Sequence, residues 1–122
     1  NGVTQRPAYA YTVVGDQINS PLLRLPADRS ASYVIRYFYN SEVAGVIRQG
    51  TMHLTVDKIN DEIHFTDDCS IIGNDTNLDK LSFSATLEDV DLDTVMETAY
   101  IRYTNTLATD GGYFNYWYET VS

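Results

Sequence analysis

The feature that most constrains the fold is the unbroken alternation of apolar and polar residues in residues 51–57. Met52, Leu54 and Val56 fall on one side of an extended chain, and the polar residues between them fall on the other. A period of two is typical of a β-strand with one buried and one solvated face. Gly50 precedes this run, and an internal glycine of this kind predicts a β-bulge or a bend.

Several other stretches have the composition of strands, separated by turn signals. Pro21 cannot donate to a strand ladder, so the stretch that contains it is predicted to be an edge strand. The other polar segments are predicted to be a connection (residues 67–80) and an acidic turn (residues 89–93). Besides residues 46–57, the predicted strands are residues 8–14, 18–25, 32–40, 62–66, 81–88, 94–104 and 113–120.

This order predicts an all-β protein of about seven or eight strands, an antiparallel β-sandwich of jelly-roll type. The chain has 122 residues, enough for one domain. Residues 8–122 are predicted to form that domain, and residues 1–7, which are polar and lack periodicity, are predicted to be an N-terminal arm or linker.

Two predicted strands carry large apolar side chains on both faces. In residues 32–40, one face has three tyrosines and Ile35, and the other has Val34, Arg36 and Phe38. Such a strand is either central in its sheet or covered on both sides, by a second sheet or by a partner chain. In residues 113–120, Tyr113 and Trp117 share one face, and Phe114, Tyr116 and Tyr118 share the other.

The charge excludes some partners. Seventeen acidic and eight basic residues give a formal net charge of −9. Nucleic acids and anionic membrane surfaces attract basic patches, so neither is a predicted partner. No apolar run approaches the ~20 residues of a membrane-spanning helix, so no membrane insertion is predicted. Cys69 is the single cysteine, which excludes an intrachain disulfide and favours a buried apolar side chain.

Five short motifs, taken in order, resemble a known module. The pattern is a tyrosine-rich strand, an Arg-x-Gly-Thr strand, an aspartate pair, a Phe-Ser-Ala strand and a Tyr-Thr strand before an aromatic end. It covers roughly residues 30–118 and resembles a β-rich module at the C-terminal end of tailspikes and tail fibres of tailed bacteriophages. The motifs are Tyr-Val-Ile-Arg-Tyr (33–37), Arg-Gln-Gly-Thr-Met-His-Leu-Thr-Val (48–56), Phe-Thr-Asp-Asp (65–68), Leu-Ser-Phe-Ser-Ala (81–85) and Ile-Arg-Tyr-Thr-Asn-Thr (101–106), and Gly-Tyr-Phe-Asn-Tyr (112–116) is the aromatic end.

The resemblance implies a non-enzymatic virion protein that forms homotrimers. Such a module helps a fibre to assemble or touches the glycans of the host surface. The resemblance carries no fixed site motif, so it assigns no binding residue. A carbohydrate-binding module, lectin-like and without a role in trimerisation, is the alternative.

The aromatic residues are candidates for both roles. Tyr33, Tyr37 and Tyr39 share one face of a strand and predict a subunit interface, because so much aromatic surface is rarely left in water. The aromatic residues of the last strand could form a platform for the rings of a host polysaccharide, or could fill the core or an interface, which is the favoured interpretation. These residues are Tyr113, Tyr116, Trp117 and Tyr118.

The acidic turn is the candidate for a metal. Asp89, Asp91 and Asp93 alternate, and their oxygens could converge on Ca²⁺, which takes six to eight oxygen ligands at ~2.3–2.6 Å. Val90 and Leu92 stand where calcium loops usually need glycine, so solvated carboxylates are the favoured interpretation and no cofactor is predicted.

No residue pattern announces a reaction. A nucleophile and base could be imagined in Cys69 and His64, but their spacing does not support a pair, and no third residue is suggested to orient the base. Zinc spacings, phosphate loops and nucleotide fingerprints are absent from the sequence. The sequence therefore predicts a structural or binding protein and not an enzyme.

Overall fold

A computed structural model describes residues 9–73, 80–89, 97–107 and 111–121. Within these ranges the chain forms eight β-strands and no helix, so no helix of the described part could cross a membrane. The all-β antiparallel fold predicted from the sequence is confirmed. The strands are β1 (Tyr9–Val14), β2 (Gln17–Pro26), β3 (Ala31–Ser41), β4 (Val46–Asp57), β5 (Glu62–Gly73), β6 (Leu81–Glu88), β7 (Thr98–Asn105) and β8 (Gly111–Val121).

The strands form two sheets. The larger has five strands in the order β1-β8-β3-β4-β5, and the smaller has three in the order β2-β7-β6. Every pairing is antiparallel. The interleaving of β1 and β8 in one sheet with β2 and β7 in the other resembles a jelly roll, whereas β3, β4 and β5 follow one another as a meander. The predicted arm, residues 1–7, lies outside the described residues.

The core fills the space between the sheets. Alternate residues of each strand point inward, as the period of two requires. In β3 the inward residues are Tyr33, Ile35, Tyr37 and Tyr39, and in β4 they include the predicted trio of Met52, Leu54 and Val56. β3 is the middle strand of the larger sheet, which agrees with the central position predicted from its two largely apolar faces. Its other face lies on the outside of the sandwich.

The predicted edge strand is confirmed as β2, at one edge of the smaller sheet. Pro21 lies in it, and the register with β7 shifts between Pro21 and Leu23. Gly50, where a bulge was expected, lies instead in continuous register with Tyr37 on one side and Cys69 on the other. The bulge prediction at Gly50 is therefore wrong.

Strand β5 is longer than the sequence predicts. It was expected to end at Thr66 and to give way to a polar connection, but it runs to Gly73 and pairs with β4 along its whole length. Asp67 and Asp68 disfavour a strand locally, and the cross-strand contacts with β4 override that preference. Strand β7 also differs from its prediction, since it extends to Asn105; residues 94–96 of the predicted strand lie outside the described residues.

Candidate binding groove

The outer face of the larger sheet carries rows of side chains that lie directly opposite one another. One row crosses four strands, from Trp117 on β8 through Arg36 on β3 and Thr51 on β4 to Asp68 on β5. The next row is Asn115, Phe38, Gln49 and Ser70 in the same strand order. Since strands lie ~4.8 Å apart, a row of four spans about 14 Å, which is the length of a short oligosaccharide.

These two rows enclose a shallow groove with a volume of about 500 Å³. The groove is deepest over the short side chains of Thr51 and Ser70. The long side chains of Trp117, Arg36 and Gln49 form its sides. The full lining is Arg36, Tyr37, Gln49, Gly50, Thr51, Asp68, Cys69, Ser70 and Trp117. All the outward side chains of this set except Trp117 are polar, so the groove offers one aromatic face and several hydrogen-bonding groups.

Gly50 keeps the floor of the groove closed. A Cβ atom at this position would clash with the carbonyl oxygen of Asp68 and would lie 2.6 Å from the Cα of Cys69. Both are atoms of the backbone, so only a displacement of β5 could relieve the clash. The glycine thus permits the close approach of β4 and β5, and this close approach, not a bulge, accounts for the residue.

The charged side chains of the groove form no ion pairs within the described residues. Within the described ranges, neither the guanidinium of Arg36 nor the carboxylate of Asp68 has a hydrogen bond or an ion pair. They lie two strands apart, on either side of Thr51, and they form no ion pair with each other. A buried or bridging pair would serve the fold, whereas free charged groups beside an aromatic ring are what a ligand site needs.

The structure separates the four aromatic residues that the sequence proposed for a sugar platform. Tyr113 and Trp117 lie on the outer face, and Tyr113 is 62% exposed. Tyr116 and Tyr118 point inward, and Tyr116 is only 4% exposed and stacks on Tyr11 with ring centroids 5.7 Å apart. Burial raises the pKa of the Tyr116 hydroxyl, and a hydrogen bond with Tyr11 adds to the shift. Trp117 is therefore the member of the set that lines the groove.

The three tyrosines proposed for a subunit interface lie between the two sheets. Tyr33, Tyr37 and Tyr39 are all buried, and their neighbours belong to the same chain. Tyr37 stacks on Phe114 at 5.2 Å, and the ring of Tyr39 occupies the space beside Gly112 that a Cβ would need. Their surface is removed from water within one chain, so their number alone does not call for a partner.

The candidate metal ligands are only partly described. Asp89 lies within the described residues, and Asp91 and Asp93 lie outside them. Asp57, Glu62 and His64 are the one described group of three acidic or histidine side chains whose ligand atoms lie within 4.8 Å of one another. The carboxylate of Asp57 already accepts hydrogen bonds from Ile59 and Asn60, which lower its pKa. Asp57 thus stabilises the β4–β5 turn.

A polar network joins the two sheets beneath the groove. Arg48 Nη2 donates to Asp67 Oδ2 at 2.6 Å, and its Nη1 donates to the Leu81 carbonyl oxygen in the other sheet at 2.7 Å. The Tyr37 hydroxyl donates to Asp67 Oδ1 at 2.7 Å, and the Arg48 guanidinium lies 4.9 Å from the centre of the Phe83 ring. Burial raises the pKa of Tyr37 well above its usual range. Every group of this network has a partner, so its role is structural.

The imagined nucleophile and base lie apart. Cys69 points inward and packs against the core, whereas His64 lies on the outer face of the same strand and is exposed. His53 is also exposed on the outer face, next to the row of Trp117. Cys69 and His64 therefore lie on opposite faces of β5 and do not form a pair.

Most residues of the groove are not predicted as site residues from the sequence. Arg36, Gln49, Thr51, Asp68 and Ser70 each look like an ordinary polar residue of a solvated strand face. Alternation alone assigns Arg36 to the face opposite Tyr37, but only the register of β8, β3, β4 and β5 brings it opposite Trp117. Comparison of the chain with protein-family models, with curated proteins and with solved structures found no match.

Proposed function

We propose that this chain is a non-catalytic module that binds a polysaccharide in the groove on the outer face of the larger sheet. The observation that carries the proposal is the row of Trp117 and Arg36, with Asp68 beyond them, on an otherwise open sheet face. The aromatic ring can stack on the C–H face of a sugar, and free polar side chains around it can bind hydroxyl groups. Sugars need this combination because their rings are apolar above and below and polar at the rim.

The setting that we propose is the tail of a bacteriophage. The motifs at residues 33–37, 48–56 and 81–85, which resemble tail-fibre and tailspike modules, support it. In that setting the module lies on the virion exterior, and its ligand is the surface polysaccharide of the host. The high negative charge agrees with a partner that is neither a nucleic acid nor an anionic membrane surface.

The first test removes the aromatic ring. The chain has one tryptophan, so its intrinsic fluorescence reports directly on the groove. We expect a glycan array to give ligands that change this fluorescence, and Trp117→Ala to weaken their binding about tenfold, since truncation of an aromatic anchor in a binding site typically costs about 1–2 kcal/mol. Binding of the variant is measured by calorimetry, because the variant lacks the tryptophan signal.

Tyr113→Ala is the matched control. Tyr113 is an exposed aromatic residue on the same strand and face, two rows away from Trp117. It should leave the affinity within about twofold, and both variants should keep the β-rich circular dichroism spectrum. An equal loss in the two variants, or an array without any ligand, would refute the groove as a glycan site.

Assembly into a trimer is the second candidate function, and a different part of the outer face supports it. The end row of the sheet is Tyr113, Asn40, Ile47 and Ile72, and Val43 lies in the adjoining turn. Tyr113, Ile72 and Val43 are each more than half exposed. Clustered apolar side chains in water are typical of an interaction surface.

We expect light scattering behind a sizing column to give a mass near three times the 13.8 kDa of one chain. Ile72→Glu should shift the mass towards the monomer, because it buries a charge in the interface. Ile59→Glu is the control, since Ile59 is exposed in the β4–β5 turn away from this row. A monomer at micromolar concentration would contradict the trimer and would leave the groove as the proposed site.

A further inference from the structure

We infer that the groove selects an acidic polysaccharide in which a sugar with one carboxylate alternates with neutral sugars, and that Arg36 binds the carboxylate. The inference rests on the proposed function and names the chemical class of its ligand. It depends on three features of the described residues: the free guanidinium of Arg36, its position relative to Trp117, and the carboxylates that surround it.

Arg36 is the cationic side chain of the groove. It is exposed, and no described residue pairs with it, in contrast to Arg48 and Arg102. Arg48 binds Asp67, and Arg102 binds Glu88 at 2.6 Å. In a chain that carries a net charge of −9, an arginine left without a carboxylate is available to an external one. A planar guanidinium matches the two oxygens of a carboxylate.

The register places Arg36 where a stacked sugar would reach it. Arg36 lies directly opposite Trp117 in the β3–β8 pair, and side chains that are directly opposite have Cβ atoms ~4.5–5.5 Å apart. A sugar ring on the indole therefore holds its substituents beside the guanidinium. A carboxylate on that ring would bind Arg36, and the sugars that follow along the row would lie over Thr51 and then over Asp68.

The neighbouring carboxylates limit how much negative charge the ligand can carry. Asp68 lies at the far end of the row, and Glu119 lies one row further along β8, diagonal to Arg36. A sugar over Asp68 must be neutral, because two carboxylates there would repel each other, whereas its hydroxyl groups can donate to Asp68. Densely sulfated chains are disfavoured for the same reason, so the groove fits alternating acidic and neutral sugars.

The test uses two forms of one ligand. Oligosaccharides of glucuronic acid alternating with N-acetylglucosamine are titrated against the protein, together with the same oligosaccharides after reduction of each carboxyl group to an alcohol. We expect the acidic form to bind the wild-type chain about tenfold more tightly than the reduced form. Arg36→Gln should remove this preference because it weakens the binding of the acidic form far more than that of the reduced form, and raised salt should weaken the acidic form more than the reduced form.

Arg24→Gln is the control, because Arg24 lies in the other sheet and should not alter either affinity. Equal binding of the two forms to the wild-type chain would overturn the role of Arg36 and leave the glycan groove standing. A preference for the acidic form that survives in Arg36→Gln would also overturn it. If neither form binds and the array gives only neutral ligands, the inference fails alone; an array without ligands removes the proposed function as well.

Discussion

Replacing Arg48 with methionine is expected to lower the free energy of unfolding by about 3 kcal/mol. The change leaves the carboxylate of Asp67 buried without its cation, and it removes the hydrogen bond to the Leu81 carbonyl oxygen of the other sheet. The side chains of Arg48 and Asp67 are 11% and 12% exposed, so water cannot replace the lost partner well. Urea unfolding followed by circular dichroism measures the loss.

Arg102→Met is the matched control for Arg48→Met. Arg102 also binds a carboxylate at 2.6 Å, but its pair with Glu88 lies on the outer face, with side chains 21% and 34% exposed. The loss there should be about 1 kcal/mol or less. A double variant, Arg48→Met with Asp67→Leu, should recover part of the stability, because no unpaired charge remains. Equal losses in Arg48→Met and Arg102→Met would contradict the structural role of the network.

Local patterns predict the strands well because alternation is a property of consecutive residues. The run at residues 51–57 predicts which side chains of β4 are buried, and the structure agrees at Met52, Leu54 and Val56. Alternation also sorts Trp117 and Tyr116 onto opposite faces of β8. Alternation does not show which face of a strand points into the core, because that depends on the second sheet packed against the strand.

The polar network explains why β5 continues through residues that the sequence predicts to be a connection. Asp67 and Asp68 look like residues of a loop, yet they occupy the middle of β5. Asp67 is compatible with the inner face because Arg48 lies within hydrogen-bond reach on β4, and Asp68 because it points outward into the groove. The pairing of β4 with β5 decides both positions, and residues far apart in the chain contribute to each.

The groove also depends on long-range strand pairing, so local sequence patterns do not predict it. Its four-strand row joins residues 36, 51, 68 and 117, which are separated by 15 or more positions along the chain. Trp117 could be suspected from its residue type alone. Arg36 and Asp68 gain their meaning only from the order of β8, β3, β4 and β5 in the sheet, which depends on long-range pairing.

Replacing Phe114 with alanine is expected to lower the free energy of unfolding by about 4 kcal/mol. Phe114 is fully buried, and its ring contacts three others, at 5.2 Å for Tyr37, 5.5 Å for Phe83 and 5.7 Å for Tyr116. Phe83 belongs to the smaller sheet, so the ring of Phe114 connects the two layers. Alanine would leave a cavity between the two sheets, and the rigid strands could not move together to close it. Urea unfolding should give a lower midpoint with an unchanged slope.

Phe38→Ala separates the two faces of the larger sheet in the same assay. Phe38 lies on the neighbouring strand β3 but on the outer face, and it is 38% exposed, so its removal should cost only about 1 kcal/mol in the monomer. A cost near that of Phe114 at all protein concentrations would contradict the assignment of the inner and outer faces. A cost that appears only at high concentration would instead indicate that a second copy of the chain covers Phe38, because association stabilises the folded state by mass action.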